Sequence, residues 1–254
     1  MTQPLIIPKS DSPKMFDAIA KRYDLLNRLL SLGQDVAWRK RLVYLLPKGE
    51  HLKLLDLASG TADVLITLAE HDQRIVSGVG IDPAAKMLAV GQAKIKAKNL
   101  QDRLTLQVGD AQALPFLDES FDCVTISFGI RNVPDLRLGL LEMYRVTKKS
   151  GRVLILEFSK PANPILACGH YCYLSVIVPL VGFIFSGNFK AYQYLNQTVQ
   201  SFPYGDRFCK ILAQFGFVNI NAYPLMGGVA TIYCAQKSVI ASEAKRSNLF
   251  NYAC

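Results

Sequence analysis

The sequence lacks an apolar run long enough to cross a membrane. Its most apolar run, residues 174–185, has twelve residues and contains Pro179 and Gly182, whereas a spanning helix needs about 20. Such a run fits a buried hairpin or a surface that touches lipid. The polar first residues show no signal-peptide pattern. We therefore expect a cytoplasmic protein. Peripheral contact with the inner face of the membrane is a further possibility that this composition allows.

Histidine and cysteine are too few and too scattered for a metal site or a disulfide framework. Cys168, His170 and Cys172 form a C-x-H-x-C cluster, but no second pair completes a zinc site. The other cysteines, at positions 123, 209, 234 and 254, show no disulfide spacing. This usage is typical of a reducing cytosol, and we predict no metal.

Acidic residues are also scarce. There are 20 Asp and Glu against 29 Lys and Arg, which gives a net charge of +9. This balance favours an anionic neighbour, either a membrane or a nucleic acid, although a solvated basic face is a common alternative. The chain has neither an interleaved basic and aromatic patch nor an Asn-Pro-Pro-Tyr-type base-flipping loop, so we expect no nucleic-acid partner.

The most informative stretch is LLDLASGTAD, residues 54–63. A short apolar run, residues 53–57, suits a buried parallel strand. Small residues follow, then Thr61 as a predicted N-cap and Asp63 in the first turn of a helix. This order predicts a strand, a tight turn and a helix. Gly60 is the only glycine left of a G-x-G-x-x-G pattern, so the turn is not a dinucleotide fingerprint.

Asp82 stands 22 positions after Gly60, at the end of a second apolar run. A carboxylate there can accept both hydroxyls of a ribose. Adenosine without pyrophosphate fits S-adenosylmethionine better than NAD. The alternative is an ordinary strand, turn and helix in which the aspartate only caps.

Two further turns lie at the same predicted edge of the sheet. Asp110, beside Ala111, follows the strand 104–108 and is placed to reach an adenine amine, with turn capping as the alternative. The fourth strand, residues 123–128, leads into Arg131 and Asn132, where reacting groups gather in open α/β sheets.

Strands and helices alternate five times, which predicts an α/β fold with a mostly parallel sheet. We predict a single domain over residues 14–236. It contains a helical arm, residues 14–46, interrupted at Gly33, and an apolar insert, residues 160–190. Residues 1–13 and 237–254 are predicted to be disordered tails.

Several longer segments together resemble the ubiquinone/menaquinone biosynthesis C-methyltransferase family over roughly residues 14–236. They are FDAIAKRYDLLNRLLSLGQDVAW in the arm, LLDLASGTAD and DAQALPF in the core, and then FDCVTISFGIRNVPD and RVTKKSGRVLILEFSKP. The resemblance implies the class I S-adenosylmethionine-dependent methyltransferase fold. This is a Rossmann-like, seven-stranded sheet with its last strand antiparallel.

The resemblance also implies roles for individual residues. The cofactor would be S-adenosyl-L-methionine, bound at the Gly60 turn and by the side chains or backbone of Thr61, Asp82, Asp110, Ala111 and Ser127. Arg131 and Asn132 would lie on the substrate side and act in catalysis. The family's Gly-Gly-Thr-Gly-Asp reads Ser-Gly-Thr-Ala-Asp here, at residues 59–63, which puts cofactor affinity in question.

The implied reaction is C-methylation of a prenylated quinol, with demethylmenaquinol favoured over the benzoquinol precursor of ubiquinone. Arg131 would stabilise a phenolate oxyanion, or else pair with Asp135 as part of the scaffold. Two alternative functions remain. The protein could methylate another small molecule, or it could be a binding module without activity. Implied partners are the quinol, an anionic membrane surface and a second copy in a homo-oligomer.

Overall fold

A seven-stranded sheet forms the centre of the protein. The computed structural model describes residues 7–180 and 189–239, and the strand order is β3-β2-β1-β4-β5-β7-β6. The first five strands are parallel, and β7 is antiparallel to both of its neighbours. This confirms the predicted fold. The strands are β1 Leu52–Leu57, β2 Ile75–Asp82, β3 Leu104–Val108, β4 Phe121–Ser127, β5 Thr147–Phe158, β6 Phe217–Leu225 and β7 Ala230–Lys237.

Helices cover both faces of the sheet, because each carries one apolar face. On one face α2, α3 and α4 pack through Trp38, Leu65 and Ile95. On the other face α5 and α8 pack through Met143 and Phe208. The helices are α1 Ser12–Leu30, α2 Gln34–Val43, α3 Asp63–His71, α4 Ala85–Ala97, α5 Leu136–Val146, α6 Pro164–Cys172, α7 Phe189–Ser201 and α8 Asp206–Gln214.

The predicted arm consists of α1 and α2. They are separated at Gly33, whose φ of 76° is the left-handed conformation that glycine adopts without steric cost. Order begins earlier than predicted. Residues 9–11 form a 3-10 helix, and the Lys9 ammonium donates to the Val133 carbonyl at 3.1 Å, so residues 7–13 are not a disordered tail. Residues 1–6 and 240–254 lie outside the described residues.

The predicted insert is helical from residue 164 to residue 180. Asn163 caps α6 by accepting from the backbone of Ile165 and Leu166, and a π-helical turn, Tyr173–Ile177, continues it. The hairpin interpretation of the apolar run 174–185 is therefore wrong for residues 174–180, while residues 181–188 lie outside the described residues. Within the described part of the chain, no helix has the length and apolarity needed to cross a membrane.

Candidate active site

The carboxyl ends of β1 to β4 bring the predicted cofactor residues to one edge of the sheet. β1 lies between β2 and β4, with Leu57 opposite both Ile81 and Ile126. Asp82 pairs with Val108 at the end of β3. The turns after these four strands therefore open on the same side, as the sequence predicts.

The turn after β1 is tightly wound. Ala58, Gly60 and Ala62 all have positive φ, of 49°, 54° and 63°, a conformation that costs a residue with a Cβ roughly 1–2 kcal/mol. The helix that follows begins at Asp63, with Ala62 as its N-cap. The predicted N-cap role of Thr61 is therefore wrong. Its hydroxyl instead donates to Asp24 of the arm at 2.5 Å.

Asp82 is buried and organises two turns at once. One carboxylate oxygen accepts from the Gly60 backbone at 2.8 Å, and the other accepts from the Ala84 backbone at 2.8 Å. Burial raises the pKa of Asp82 to about 6, against the opposing effect of these two bonds. The second bond holds Ala84, which is the N-cap residue of α4.

The remaining predicted cofactor residues differ in exposure. Asp110 is exposed and accepts from both the backbone and the side chain of Gln112, at 2.9 Å. Ala111 is buried beside it. The hydroxyl of Ser127 is buried without a hydrogen-bond partner, so its hydrogen-bonding capacity is unused. These assignments stay predictions.

Charged side chains tie the arm to the turn after β1, which the sequence analysis missed. Lys94 of α4 contacts both Asp24 of the arm, at 2.8 Å, and Asp63. Arg39 bridges Asp63, at 2.5 Å, and Asp35. Apart from Arg39 and Asp35 on α2, the partners are 24 to 70 residues apart and leave no local signal in the sequence. The effect is to hold the arm over the cofactor edge.

A cavity of about 420 Å³ lies between the arm, the insert and the ends of β4 and β5. Apolar and aromatic side chains dominate its wall, and a separate core cluster that includes Met15, Leu26 and Leu174 joins the arm to the insert beside it. Arg131, Tyr23 and His170 are among the polar side chains that line it. Burial lowers the pKa of His170 and raises that of Tyr23, so both are uncharged at neutral pH.

Arg131 lies in the wall of this cavity and is only 5% exposed. Its guanidinium donates to Glu157 of β5 at 2.7 Å and to the Phe128 carbonyl at 2.5 Å. It also lies over the Phe158 ring, 5.4 Å from the centroid. Its Nε is buried without a partner. Burial raises the pKa of Glu157, and Arg131 opposes this.

Asn132 occupies a different position from Arg131. Its amide donates to the same Phe128 carbonyl at 3.5 Å, and its side-chain oxygen is buried without a partner. It does not line the cavity. Asp135, the alternative partner of Arg131, instead caps α5 by accepting from Arg137 and Leu138. Glu157, and not Asp135, is therefore the ion-pair partner of Arg131. The sequence analysis did not identify it.

The part of the chain that the structure describes contains no candidate metal site. No three histidine, cysteine, aspartate or glutamate side chains there lie close enough together to hold an ion. This includes Cys168, His170 and Cys172 on α6.

Comparison with known proteins assigns the family. The profile of the ubiE/COQ5 methyltransferase family matches residues 8–237. A "Ubiquinone/menaquinone biosynthesis C-methyltransferase UbiE" from Geotalea uraniireducens is 42% identical over 224 residues, which cover 88% of this chain and 95% of the relative. A "Demethylmenaquinone methyltransferase" from Thermus thermophilus is 41% identical, covering 88% of this chain and all of the relative. The chain belongs to the ubiE/COQ5 methyltransferase family.

Solved structures agree on the fold. A SAM-dependent methyltransferase from Aquifex aeolicus superposes with a TM-score of 0.55 at 14% identity, covering 78% of this chain and 88% of that one. Phosphoethanolamine N-methyltransferase 2 from Haemonchus contortus, solved with S-adenosyl-L-methionine, gives 0.56 at 17% identity, with 78% and 51% covered. The protein is an S-adenosyl-L-methionine-dependent methyltransferase, as the sequence predicts.

The residues at the sheet edge fit this cofactor. Asp82 presents both carboxylate oxygens, and each retains acceptor capacity beyond its backbone bond. The unpartnered Ser127 hydroxyl supplies a further polar group. A Cβ at Gly129 would lie 2.3 Å from that of Ala58, so the two turns approach each other as closely as their backbones allow. The described cavity is separate from these residues, since Arg131 lines it and none of the predicted cofactor residues does.

Proposed function

We propose that the protein methylates a ring carbon of a prenylated quinol, and that demethylmenaquinol is its substrate. The names of the relatives support a quinone-ring carbon as the acceptor. The naphthoquinol is chosen because some relatives are named for it alone, the demethylmenaquinone methyltransferases from Thermus thermophilus, Porphyromonas gingivalis and Bacteroides fragilis, which are 41%, 35% and 37% identical to this chain.

The observation that carries the proposal is the cavity. Its wall is built mainly from apolar and aromatic side chains of the arm and the insert, which is the surface that a fused ring and an isoprenoid tail need. Yet the guanidinium of Arg131 is buried in that wall with its Nε free of partners. A buried donor without a partner is costly, and an oxygen on the quinol ring would satisfy it.

The bound cofactor supplies a methyl group that its sulfonium already activates. The protein has to align the ring carbon and to make it nucleophilic, which happens as the neighbouring hydroxyl loses its proton. Arg131 stabilises the resulting phenolate, because a fixed guanidinium acts strongly in a site from which water is excluded. Asn132 and Arg131 share the Phe128 carbonyl, so Asn132 positions the loop that carries Arg131.

The benzoquinol precursor of ubiquinone is the second candidate. It is favoured by the relatives whose names cover both pathways, including the one from Geotalea uraniireducens. Mass spectrometry of quinones from cells that lack the protein separates the two. Accumulated demethylmenaquinone, removed when the gene is restored, supports the proposal. An accumulated demethylated ubiquinone precursor selects the alternative, and an unchanged quinone profile contradicts both.

A further inference from the structure

The mouth of the cavity is ringed by apolar side chains that face solvent. Leu32, Ile165, Leu166 and Met226 all line the cavity, yet they are 77%, 81%, 52% and 53% exposed. A side chain that both lines a cavity and faces water lies at its opening. Elements far apart in sequence meet here, since a Cβ on Gly227 would lie 3.1 Å from the Leu166 side chain.

The exposed apolar surface continues outward from this rim. Along α6 and the helical turns after it, Tyr171, Val176 and Leu180 are each more than half exposed. The arm borders the same surface, because the Tyr173 hydroxyl donates to the Leu30 carbonyl at 2.8 Å. Leu25 and Leu29 of α1 are exposed as well. Single exposed apolar side chains are ordinary, but a contiguous group around a cavity marks an interaction surface.

The charge of this region selects the kind of partner. Residues 158–205, which contain α6, the π-helical turn and α7, include no aspartate or glutamate. Lys160 and Lys190 in the same stretch are exposed, and the whole chain carries +9. On this side of the molecule α6, the π-helical turn and α7 present apolar side chains and lysines without an acid, a combination that complements anionic headgroups over hydrocarbon.

We propose that this face, formed by the cavity rim, the outer side of residues 164–180 and the end of α1, docks on an anionic lipid bilayer. Docking would turn the mouth of the cavity toward the membrane. The inference rests on the proposed function in one respect, since a prenylated quinol resides in the bilayer and needs an opening that faces it. The apolar side chains enter the boundary between headgroups and acyl chains, and the lysines contact the phosphates.

The test compares two triple variants in vesicle sedimentation. The first, Tyr171→Ser with Val176→Ser and Leu180→Ser, changes exposed side chains that do not line the cavity. The matched control, Tyr44→Ser with Leu117→Ser and Leu138→Ser, changes exposed side chains of other elements. We expect the wild type and the control to bind vesicles of phosphatidylcholine and phosphatidylglycerol, and to bind pure phosphatidylcholine more weakly. The first variant should lose about tenfold or more in partitioning.

Two results would overturn the proposal. One is equal binding of both variants to the anionic vesicles. The other is a wild type that ignores vesicles but self-associates in light scattering, with the association lost in the first variant, because the face would then cover a second copy. Methylation of a short-chain, water-soluble quinol is measured in parallel, because it tests the proposed function without requiring membrane docking. Methylation at the same rate by the wild type and the first variant leaves the activity intact whatever the vesicles show, and no methylation by either protein rejects the activity alone.

Discussion

Arg131→Met removes the charge that faces the buried carboxylate of Glu157. The two side chains are 6% and 0% exposed and 2.7 Å apart, so the variant leaves an acid in the core without its partner. Breaking such a pair costs about 3–5 kcal/mol. For a domain of this size that is a fall in melting temperature of roughly 6–20 °C. The sequence alone, with Arg131 in a purely catalytic role, predicts that the variant melts near the wild type. The buried ion pair with Glu157 predicts a lower melting temperature instead.

A second substitution separates stability from catalysis. Glu157→Gln in the Arg131→Met background removes the stranded charge, so most of the lost stability should return in thermal unfolding. Quinol turnover should stay about 100-fold below the wild type, because the donor to the phenolate is still absent. Affinity for S-adenosyl-L-methionine, measured by calorimetry, should be close to normal in the double variant.

The matched control is Arg137→Met, which changes an exposed arginine of α5 and should alter neither stability nor turnover. Recovery of turnover together with stability in the double variant would show that Arg131 is only part of the scaffold. An Arg131→Met variant that melts with the wild type would show that the buried pair contributes no stability.

Three further predictions concern the cofactor edge. Asp82→Ala should weaken S-adenosyl-L-methionine binding by about 1–3 kcal/mol in calorimetry, and wild-type affinity should fall as the pH drops through about 6, where this carboxylate gains its proton. Burial raises the pKa of Asp56 from 3.8 to about 7. The folded protein therefore favours the protonated carboxyl. This stabilises the fold fully below the unfolded pKa, and the stabilisation is lost as the pH rises through about 7. Asp56→Asn cannot ionise, so it should flatten the fall in melting temperature between about pH 4 and pH 7. Gly91→Ala would place a Cβ 3.0 Å from the backbone of Thr61 and 2.8 Å from Leu106. It should cost about 1–3 kcal/mol in thermal unfolding, whereas Gly169→Ala, with nothing within 4 Å, should not destabilise.

The strands and their order of appearance could be read from the sequence because local patterns encode them. Apolar runs that end in small or acidic residues, as at Gly60 and Asp82, mark strand ends. Parallel topology then brings those ends to one edge. Even the break in the arm at Gly33 follows from local backbone freedom.

The site's polar partners could not be read in the same way. Glu157 stands 26 residues after Arg131 and meets it only because Ser127 of β4 pairs with Leu156 of β5. Thr61 has the sequence of an N-cap, but tertiary contact with Asp24 takes its hydroxyl. Such pairings depend on strand register and helix docking, which no short-range pattern reports.

Transfer of a labelled methyl group to a defined quinol is the decisive measurement of the proposed activity. Purified protein would be given methyl-labelled S-adenosyl-L-methionine with demethylmenaquinol of short side chain, and in parallel with the benzoquinol precursor and a soluble phenol. We expect label on the naphthoquinol ring carbon, with a rate that Arg131→Met together with Glu157→Gln lowers about 100-fold. Label on the phenol and on neither quinol, from protein that binds the cofactor, would contradict the proposed function.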